Sequence, residues 1–366
     1  MWFIFVIIIF LYILLIGGYY LGWKKIRPVT INGYTPRVSV IIAIRNEERM
    51  IDRLLESLQS QIYPQDKIEF ILINDHSSDK TLEVLRSYEQ NNIVILNLPN
   101  DKMGKKQAIM YAVDRANGDI ILTSDADCNF SSLWVQRMVK YFIDDNIKLV
   151  SGPVRYKKKE GLFSVIQSLE FSSLIVSGAG AIGNRHALFC NGANLAYRKD
   201  VFSQFSGYNQ AITSGDDVFL LHYVKKLYPK GIFFAKDEEV IVETEAVANY
   251  LEFINQRKRW TSKSIHYRDI HTIYSALLVF LTNLSLIILF FLAILDTLWL
   301  LLFIALFLLK FTIDLIILVP ILNFFQRKDL IKWIFPFELF YSFYIILIVV
   351  ATLFTSFTWK GRVHKY

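Results

Sequence analysis

The sequence begins with an apolar run that contains no charged residue. Residues 2–23 are long enough to cross the hydrocarbon core of a bilayer, which takes about 20 apolar residues in a helix. The run has no basic segment before it and no small-residue cleavage site, so it predicts a membrane anchor rather than a cleaved signal peptide. Lys24, Lys25 and Arg27 follow it directly, and this excess of basic residues predicts a cytoplasmic flank.

A second apolar block occupies the C-terminal part of the chain. It divides into three further candidate spans, at residues 274–295, 298–322 and 334–357. Three crossings after a cytoplasmic domain would leave the C-terminus outside, yet the tail is basic, which favours the inside. The sequence leaves open whether one stretch is interfacial or re-entrant, or whether the first anchor is arranged otherwise.

These runs predict an N-terminal anchor (residues 1–23), a cytoplasmic domain (24–272) and C-terminal membrane helices (273–366). The central part is long enough for one large domain with its own core. Two cysteines give no disulfide framework, which agrees with a reducing cytoplasm. The net charge of +7 fits basic loops beside anionic lipid. The sequence has no basic stripe interleaved with aromatic residues, so nucleic-acid binding is disfavoured. We therefore expect a multi-pass protein of the inner (cytoplasmic) membrane.

The central part opens with alternating strand and helix patterns. Four short apolar runs rich in β-branched residues predict buried strands, at residues 38–44, 68–74, 93–97 and 119–123. The alternation predicts an α/β domain with a mainly parallel sheet covered by helices. Ligands bind such sheets at the carboxyl ends of the strands. We expect the polar tips at residues 45–47, 74–75 and 125–127 to meet at one edge.

Asp125 and Asp127 stand one residue apart directly after the fourth predicted strand. Two carboxylates there repel each other and lose solvation, and a divalent cation would neutralise them. Mg²⁺ or Mn²⁺ takes one or two carboxylates, with phosphate oxygens and water completing its shell. The pattern predicts a metal site that serves a nucleotide diphosphate, and the alternative is a turn or a helix cap before Ser131.

Six segments, taken together and in order, resemble the family 2 glycosyltransferases. They are VSVIIAIRNEERMIDRLLESL, FILINDHSSDKTLEVL, GKKQAIMYAVDRANGDIILTSDADC, NGANLAYRKDVF, SGDDVFLL and QRKRW. The resemblance is to the membrane-bound branch, which includes cellulose-synthase-like enzymes and ceramide glucosyltransferases. It implies a GT-A nucleotide-diphospho-sugar transferase fold. It also implies inverting transfer of a sugar from a nucleotide-diphosphate donor, UDP-linked by preference, to a lipid or glycan acceptor.

The resemblance implies roles on the donor side. Asn46 and Glu47 would lie by the nucleoside, and Asp75 would contact the base. Lys105 would lie near the phosphates, although a lysine there can also be a solvated helix charge. Asp125 would face the nucleotide sugar as well as the metal. Carboxylates suit these positions because they accept hydrogen bonds from ribose hydroxyls and a base N–H.

Asp217, in the segment SGDDVFLL, matches the family's general base. A positioned carboxylate takes the proton of an acceptor hydroxyl as that hydroxyl attacks the anomeric carbon, and one displacement inverts the centre. Asp216 stands where the family usually has glutamate, which leaves its role open. The alternative for the pair is a cap at a helix N-terminus. The segment at residues 189–202 would line the acceptor side and contains the amides of Asn191 and Asn194. Asn191 looks like an insertion before the glycine, so the resemblance assigns no individual roles there.

The segment QRKRW fits the family's Gln-x-x-Arg-Trp motif. Trp260 would offer an apolar face to a sugar ring, Arg259 would reach the diphosphate, and Gln256 would donate to a hydroxyl or phosphate. The alternative is a basic patch at the membrane surface. The motif does not separate a single-sugar lipid glycosyltransferase, which we favour, from a processive polysaccharide synthase. A catalytically silent nucleotide-binding scaffold is the alternative of another class.

Lys310 and Asp314 lie four residues apart inside the third candidate span, so they share one helix face and can pair. Charges at that depth usually face the interior of a helix bundle. The sequence leaves two interpretations open, a structural ion pair and the lining of a groove for a lipid head group or glycan.

Overall fold

The computed structural model describes residues 2–30, 33–89, 92–205, 216–355, 357–359 and 362–364. The chain folds into two compact units, each built from separate stretches. The sheet unit comprises residues 25–157 and 187–245, and the helical unit comprises residues 1–24, 158–186 and 246–366. The domain boundaries expected from the sequence stay a prediction.

Within the described residues, the helices are listed here in chain order. They are α1 (Trp2–Lys25), α2 (Ile51–Gln59), α3 (Thr81–Arg86), α4 (Lys105–Val113), α5 (Trp134–Val139), α6 (Leu162–Gly183), α7 (Lys199–Ser203), α8 (Asp216–Leu227), α9 (Tyr250–Ser262), α10 (Ile270–Leu292), α11 (Thr297–Phe324) and α12 (Ile334–Phe354). Short 3-10 turns occur at Gln65–Lys67, Lys140–Ile143, Glu238–Val240, Lys263–His266 and Lys328–Trp333.

The strands of the same residues are β1 (Val38–Ile44), β2 (Ile68–Asn74), β3 (Ile93–Asn97), β4 (Ile120–Asp125), β5 (Leu149–Ser151), β6 (Val154–Tyr156), β7 (Leu195–Arg198), β8 (Ile232–Phe234), β9 (Val242–Thr244), β10 (Phe357–Trp359) and β11 (Arg362–His364). The main sheet has the order β3-β2-β1-β4-β7-β5-β8. Two small sheets pair β6 with β9 and β10 with β11.

The sheet unit confirms the predicted α/β class with a mainly parallel sheet. Strands β3, β2, β1 and β4 run parallel to one another, and β7 is antiparallel to both of its neighbours. The central strand β1 is buried because its β-branched side chains fill the space under the helices on both faces, and Ile41 and Ile42 are fully buried. Parallel pairing brings the carboxyl ends of β1, β2 and β4 to one edge.

The helical unit contains the apolar helices. Four of them, α1, α10, α11 and the segment ending in α12, correspond to the four predicted spans and are long and apolar enough to cross a membrane. Phe5 and Ile9 of α1 pack against Leu286 and Leu289 of α10 and Leu306 of α11. These contacts join the N-terminal helix to the C-terminal ones in a single apolar core.

Helix α6 is a fifth helix that meets the same criterion of length and composition, and the sequence analysis did not single it out. In the chain, α6 follows β6 and precedes β7. Strands β5 and β7, which flank it in the sequence, pair directly in the main sheet.

Helices α1 and α6 approach each other at glycines. A Cβ on Gly22 would lie 1.9 Å from the carbonyl oxygen of Gly180, and a Cβ on Gly180 would lie 2.2 Å from the carbonyl oxygen of Tyr19. Asn184 reinforces the contact because its amide donates to the carbonyl oxygen of Gly18 at 2.5 Å. Small residues allow such close backbone packing between apolar helices, so any larger side chain would force these two helices apart.

The charged residues of α11 face the interior of the helical unit. Lys310 is fully buried and donates to Asp314 at 2.7 Å, which confirms the predicted pairing. It also donates to Glu338 of α12, and the Tyr12 hydroxyl of α1 donates to Asp314 at 2.7 Å. One ammonium therefore holds three helices together through two carboxylates. This arrangement supports the structural ion pair and not the lining of an open groove.

Candidate active site

The predicted metal motif lies in a tight turn at the carboxyl end of β4. Asp125 is the last residue of the strand, and the Cys128 N–H donates to the Asp125 carbonyl oxygen at 3.2 Å. Lys105, the first residue of α4, forms an ion pair with the Asp125 carboxylate. The Thr244 hydroxyl at the end of β9 donates to Asp127 at 2.9 Å. No side chain caps α5, so neither carboxylate serves as the helix cap considered as an alternative.

The two carboxylates are electrostatically unequal. Burial, reinforced by the negative charges of Asp125 and Glu47, raises the pKa of Asp127 to about 6, and the Thr244 hydrogen bond opposes this rise. Asp125 has the Lys105 ammonium beside it. A cation between the carboxylates would relieve the repulsion that Asp127 experiences, so the residues present fit a divalent ion.

In the part of the chain that the structure describes, side chains do not complete a metal shell by themselves. Within the described residues, no group of three or more His, Cys, Asp or Glu side chains is arranged to hold a metal ion. Two carboxylates without a third protein ligand suit a cation that also binds phosphate oxygens and water. The donor set is therefore that of a metal site completed by a ligand.

The tips of β1 and β2 are joined by hydrogen bonds. Asn46 has a positive φ of 54°, and its side-chain oxygen accepts from the Ser78 N–H at 2.8 Å. The Glu47 N–H donates to the Thr81 hydroxyl at 2.9 Å. Arg45 donates to the Asp75 carbonyl oxygen at 2.9 Å. The structure thus brings the first two predicted tips together at the same edge.

Asp75 connects these tips to the start of α4. Its buried carboxylate accepts from the Gly104 N–H at 3.1 Å and lies 3.1 Å from the His76 ring nitrogen Nδ1. Gly104 has a φ of 91°, which favours glycine because it has no Cβ. The main-chain amide at the start of α4 thus binds an anion of the protein itself, the Asp75 carboxylate.

Asp217 lies in the first turn of α8. Its Oδ2 accepts from the Gly192 N–H at 3.0 Å, and its Oδ1 accepts from the Val218 N–H at 2.9 Å. Two main-chain donors hold the carboxylate in one orientation. The helix-terminal and catalytic interpretations are therefore compatible. The structure describes the backbone of Asp216, and the preceding segment, residues 206–215, lies outside the described residues.

Hydrogen bonds connect Asp217 to the metal motif through the turn before β7. Ser124, which precedes Asp125, donates to the Ala193 carbonyl oxygen at 2.6 Å, and the adjacent Gly192 donates to Asp217. Thr123 also lies against this turn, 3.4 Å from the Gly192 carbonyl oxygen. The end of β4, the turn and the start of α8 thus form one hydrogen-bonded framework.

Asn194 has a structural role in the sheet unit. It is fully buried, and its amide donates to the carbonyl oxygens of Pro153 and Val240 at 2.8 and 2.7 Å. Its oxygen accepts from the Trp134 indole at 3.0 Å. The protein thus occupies all of its polar atoms. The ring nitrogen Nε2 of His222 lies 2.8 Å from the Leu188 carbonyl oxygen.

The residues Gln256, Arg259 and Trp260 lie on α9 of the helical unit. Gln256 and Trp260 both contact the side chain of Arg257. Its Nη1 donates to the Gln256 side chain, and its guanidinium lies 4.4 Å from the Trp260 ring centroid. Glu170 of α6 is the partner of Arg257. Neither Glu170 nor Thr244 was a predicted site residue, because no local pattern reveals a partner that is distant in the sequence.

A family comparison accords with this geometry. Residues 39–205 match the model described as Glycosyl transferase family 2. This segment runs from β1 to the turn after α7, and it contains Asn46, Glu47, Asp75, Lys105 and both carboxylates of the metal motif. Asp217 and the QRKRW segment follow it in the chain.

Individual relatives give the same result. The chain is 28% identical over 206 residues to glycosyltransferase AglE of Haloferax volcanii, covering 55% of this chain and 65% of that protein. It is 27% identical over 241 residues to beta-monoglucosyldiacylglycerol synthase of Nostoc sp., covering 63% and 49%. The chain thus spans less than two thirds of the length of these curated relatives.

One solved structure resembles nearly the whole chain. It is the mannosyltransferase PcManGT from Pyrobaculum calidifontis in complex with GDP-Man and Mn²⁺, with a TM-score of 0.59 at 18% identity, covering 96% of this chain and 99% of that one. The likeness confirms the predicted GT-A fold. Residues 39–205 thus match glycosyltransferase family 2, as the motifs within them predicted, and the sheet unit has the fold of a nucleotide-sugar transferase.

Proposed function

We propose that the protein is an integral-membrane inverting glycosyltransferase that transfers one sugar from a nucleotide-diphosphate donor to a lipid. The observation that carries the proposal is the hydrogen-bonded framework joining Asp125 to Asp217 through Ser124, Ala193 and Gly192. It holds a candidate metal ligand and a candidate base at the carboxyl edge of one sheet, where open α/β sheets bind ligands.

On the donor side, Asn46, Glu47 and Asp75 take the nucleoside, and Lys105 takes the diphosphate. Lys105 already pairs with Asp125, so its ammonium lies where a phosphate bound to the same cation would place negative charge. Amide and carboxylate groups offer the base and ribose several hydrogen-bond acceptors. UDP-linked sugars are the first candidates, and GDP-linked sugars are the second because the mannosyltransferase from Pyrobaculum binds GDP-Man.

Asp125 and Asp127 would hold Mg²⁺ or Mn²⁺. When bound, the ion would supply positive charge that stabilises the leaving diphosphate. The chain's own contribution is to fix both carboxylates, Asp125 by Lys105 and Asp127 by Thr244. Asp217 would accept the proton of the acceptor hydroxyl, and its two main-chain hydrogen bonds keep it oriented for that transfer.

The acceptor is a lipid in this proposal, with Gln256, Arg259 and Trp260 on the acceptor and diphosphate side. The family motif carries this assignment. The candidate spans and the glycolipid product named for the Nostoc relative support a membrane acceptor. Cytoplasmic nucleotide sugars and the basic flank after α1 favour a cytoplasmic face of the inner membrane.

A donor screen tests the proposal. The purified full chain is incubated with Mn²⁺, total membrane lipid and a panel of UDP- and GDP-sugars, and the extracted lipids are analysed by mass spectrometry. We expect one donor to give a lipid whose mass rises by a single sugar. A high polymer would show a processive synthase instead, and nucleotide binding without turnover would show a silent scaffold.

The raised pKa of Asp127 predicts pH-dependent metal binding. Below pH about 6 the Asp127 carboxyl is protonated, and the ion must displace that proton, so the affinity for metal falls as the pH is lowered. We expect the Kd for Mn²⁺, measured by electron paramagnetic resonance of free Mn²⁺, to rise by about tenfold per pH unit below this value. Equal affinity on both sides of the pKa would contradict the assignment, and Asp127→Asn should remove the dependence.

A further inference from the structure

A buried arginine lies within the acceptor-side motif. Arg257, the second residue of QRKRW, is only 2% exposed, although the sequence allowed it to be part of a basic surface patch. Its Nε donates to both carboxylate oxygens of Glu170, at 2.9 and 2.8 Å, and its Nη2 donates to the same carboxylate. An arginine fork on a carboxylate fixes the orientation of the guanidinium as well as neutralising it.

The oriented guanidinium contacts two aromatic rings of α9 and both end residues of the motif, Gln256 and Trp260. It lies 4.3 Å from the ring centroid of Phe253 and 4.4 Å from that of Trp260. These three residues recur at helical spacing, so they share one face of α9. The Arg257 Nη1 also donates to the side-chain oxygen of Gln256. One planar cation therefore sets the positions of the first and last residues of the motif.

The anchor of this arrangement lies on other helices of the same unit. Glu170 belongs to α6, and the Tyr344 hydroxyl of α12 donates to the Glu170 carboxylate at 2.7 Å. Phe171, the next residue of α6, lies 5.9 Å from the Trp260 ring between centroids. Because Glu170 is itself buried and bonded from two sides, it gives Arg257 a fixed partner.

We infer that Arg257 and Glu170 are positioning residues, which hold Trp260 and Gln256 in the orientation that the acceptor requires. The inference rests on the proposed function, in which Trp260 presents its face to an acceptor sugar or head group. Lysine at position 257 would keep the charge and lose both the fork and the planar stack. Binding of the lipid acceptor should therefore be impaired more than hydrolysis of the donor.

The kinetics of the Arg257→Lys variant test this difference between acceptor binding and donor hydrolysis. With the donor found in the screen and total membrane lipid as the acceptor probe, we expect the apparent KM for lipid to rise about tenfold. Hydrolysis of the donor without lipid should stay within about twofold of wild type. The double variant Arg257→Lys/Trp260→Ala should lose clearly less than the sum of the two single losses, because Arg257 acts in part through Trp260. Additive losses would overturn the inference.

The matched control is Arg327→Lys. Arg327 is also a buried arginine of the helical unit, and its carboxylate partner, Asp329 at 3.1 and 3.3 Å, lies outside the motif. Its kinetics should match those of the wild type. An Arg327→Lys variant with the same rise in KM would mean that any buried arginine disturbs the fold, which would also overturn the inference.

A spectroscopic readout separates the inference from the proposed function. The full chain is labelled with 5-fluorotryptophan, and the Trp260 resonance is assigned by its loss in Trp260→Phe. Glu170→Gln and Arg257→Lys should each shift that resonance, whereas Arg327→Lys should not. If the wild type turns over no donor, the proposed function fails while this test stands. An unshifted resonance in both variants would overturn the positioning role.

Discussion

Replacing Asp217 by asparagine should reduce sugar transfer by about 10²–10⁴-fold, the range that a positioned general base contributes. Asparagine keeps the size of the side chain but cannot accept the proton of the acceptor hydroxyl. The loss should appear in the rate of transfer, measured with labelled donor and membrane lipid. Mn²⁺-dependent nucleotide binding should stay within about twofold of wild type because the metal motif is unchanged.

The control for this variant is Asp145→Asn. Asp145 is an exposed carboxylate of the same sheet unit and pairs with Arg198 at 2.9 Å, away from the carboxyl edge that carries the metal motif. It should transfer sugar at the wild-type rate. Because asparagine also changes the hydrogen bonds from Gly192 and Val218, the melting temperature of Asp217→Asn needs to be measured. A folded Asp217→Asn protein that retains a tenth or more of the transfer rate would exclude Asp217 as the base.

Replacing Lys310 by methionine should lower the free energy of unfolding by about 3–5 kcal/mol. Methionine has a similar length but leaves two carboxylates, Asp314 and Glu338, buried without their ammonium partner. Uncompensated charge in an apolar interior is costly, which is the physical reason for the size of the effect. Unfolding of the purified protein in mild detergent, followed by circular dichroism, measures the loss.

Two further variants isolate the cause. Lys328→Met removes an exposed lysine of the same unit and should leave stability unchanged. The triple variant Lys310→Met/Asp314→Asn/Glu338→Gln removes the charges together and should recover much of the loss, because neutral groups are cheaper to bury than unpaired charges. If Lys310→Met unfolds like wild type, the cluster does not hold the helices together.

The strands were the most predictable part of the fold. Residues 38–44, 68–74 and 93–97 were predicted as strands from short β-branched runs, and β1, β2 and β3 have these bounds. A fully buried strand must be apolar along its whole length, so its composition marks it. The fourth run was placed at residues 119–123, whereas β4 continues to Asp125, because the strand carries polar residues to the edge of the sheet.

The positions of some helices could not be predicted, because they depend on contacts between residues that are distant in the sequence. The first helix of the sheet unit, α2, begins only at Ile51, because Asn46 adopts a positive φ and bonds to the loop after β2. Helix α6 was overlooked because its buried polar residues, among them Glu170, lower its hydropathy below that of the other apolar helices.

Only one of the buried ion pairs could be predicted from the sequence. The Lys310–Asp314 pair was predictable because four residues on a helix bring side chains to one face. Glu338 and Glu170, the carboxylates that complete the two buried clusters, lie 28 and 87 residues from Lys310 and Arg257. Periodicity carries no information over such separations, so Arg257 could be read from sequence only as a surface charge.

The central claim is that Asp125 and Asp127 hold a cation that binds a nucleotide diphosphate. Calorimetric titration of UDP and GDP into the purified full chain, with and without Mn²⁺, tests it most directly. One of the two nucleotides should bind tightly only with Mn²⁺, and Asp125→Asn/Asp127→Asn should weaken that binding by about tenfold or more. Binding that is equally strong without the ion and in the double variant would contradict the claim.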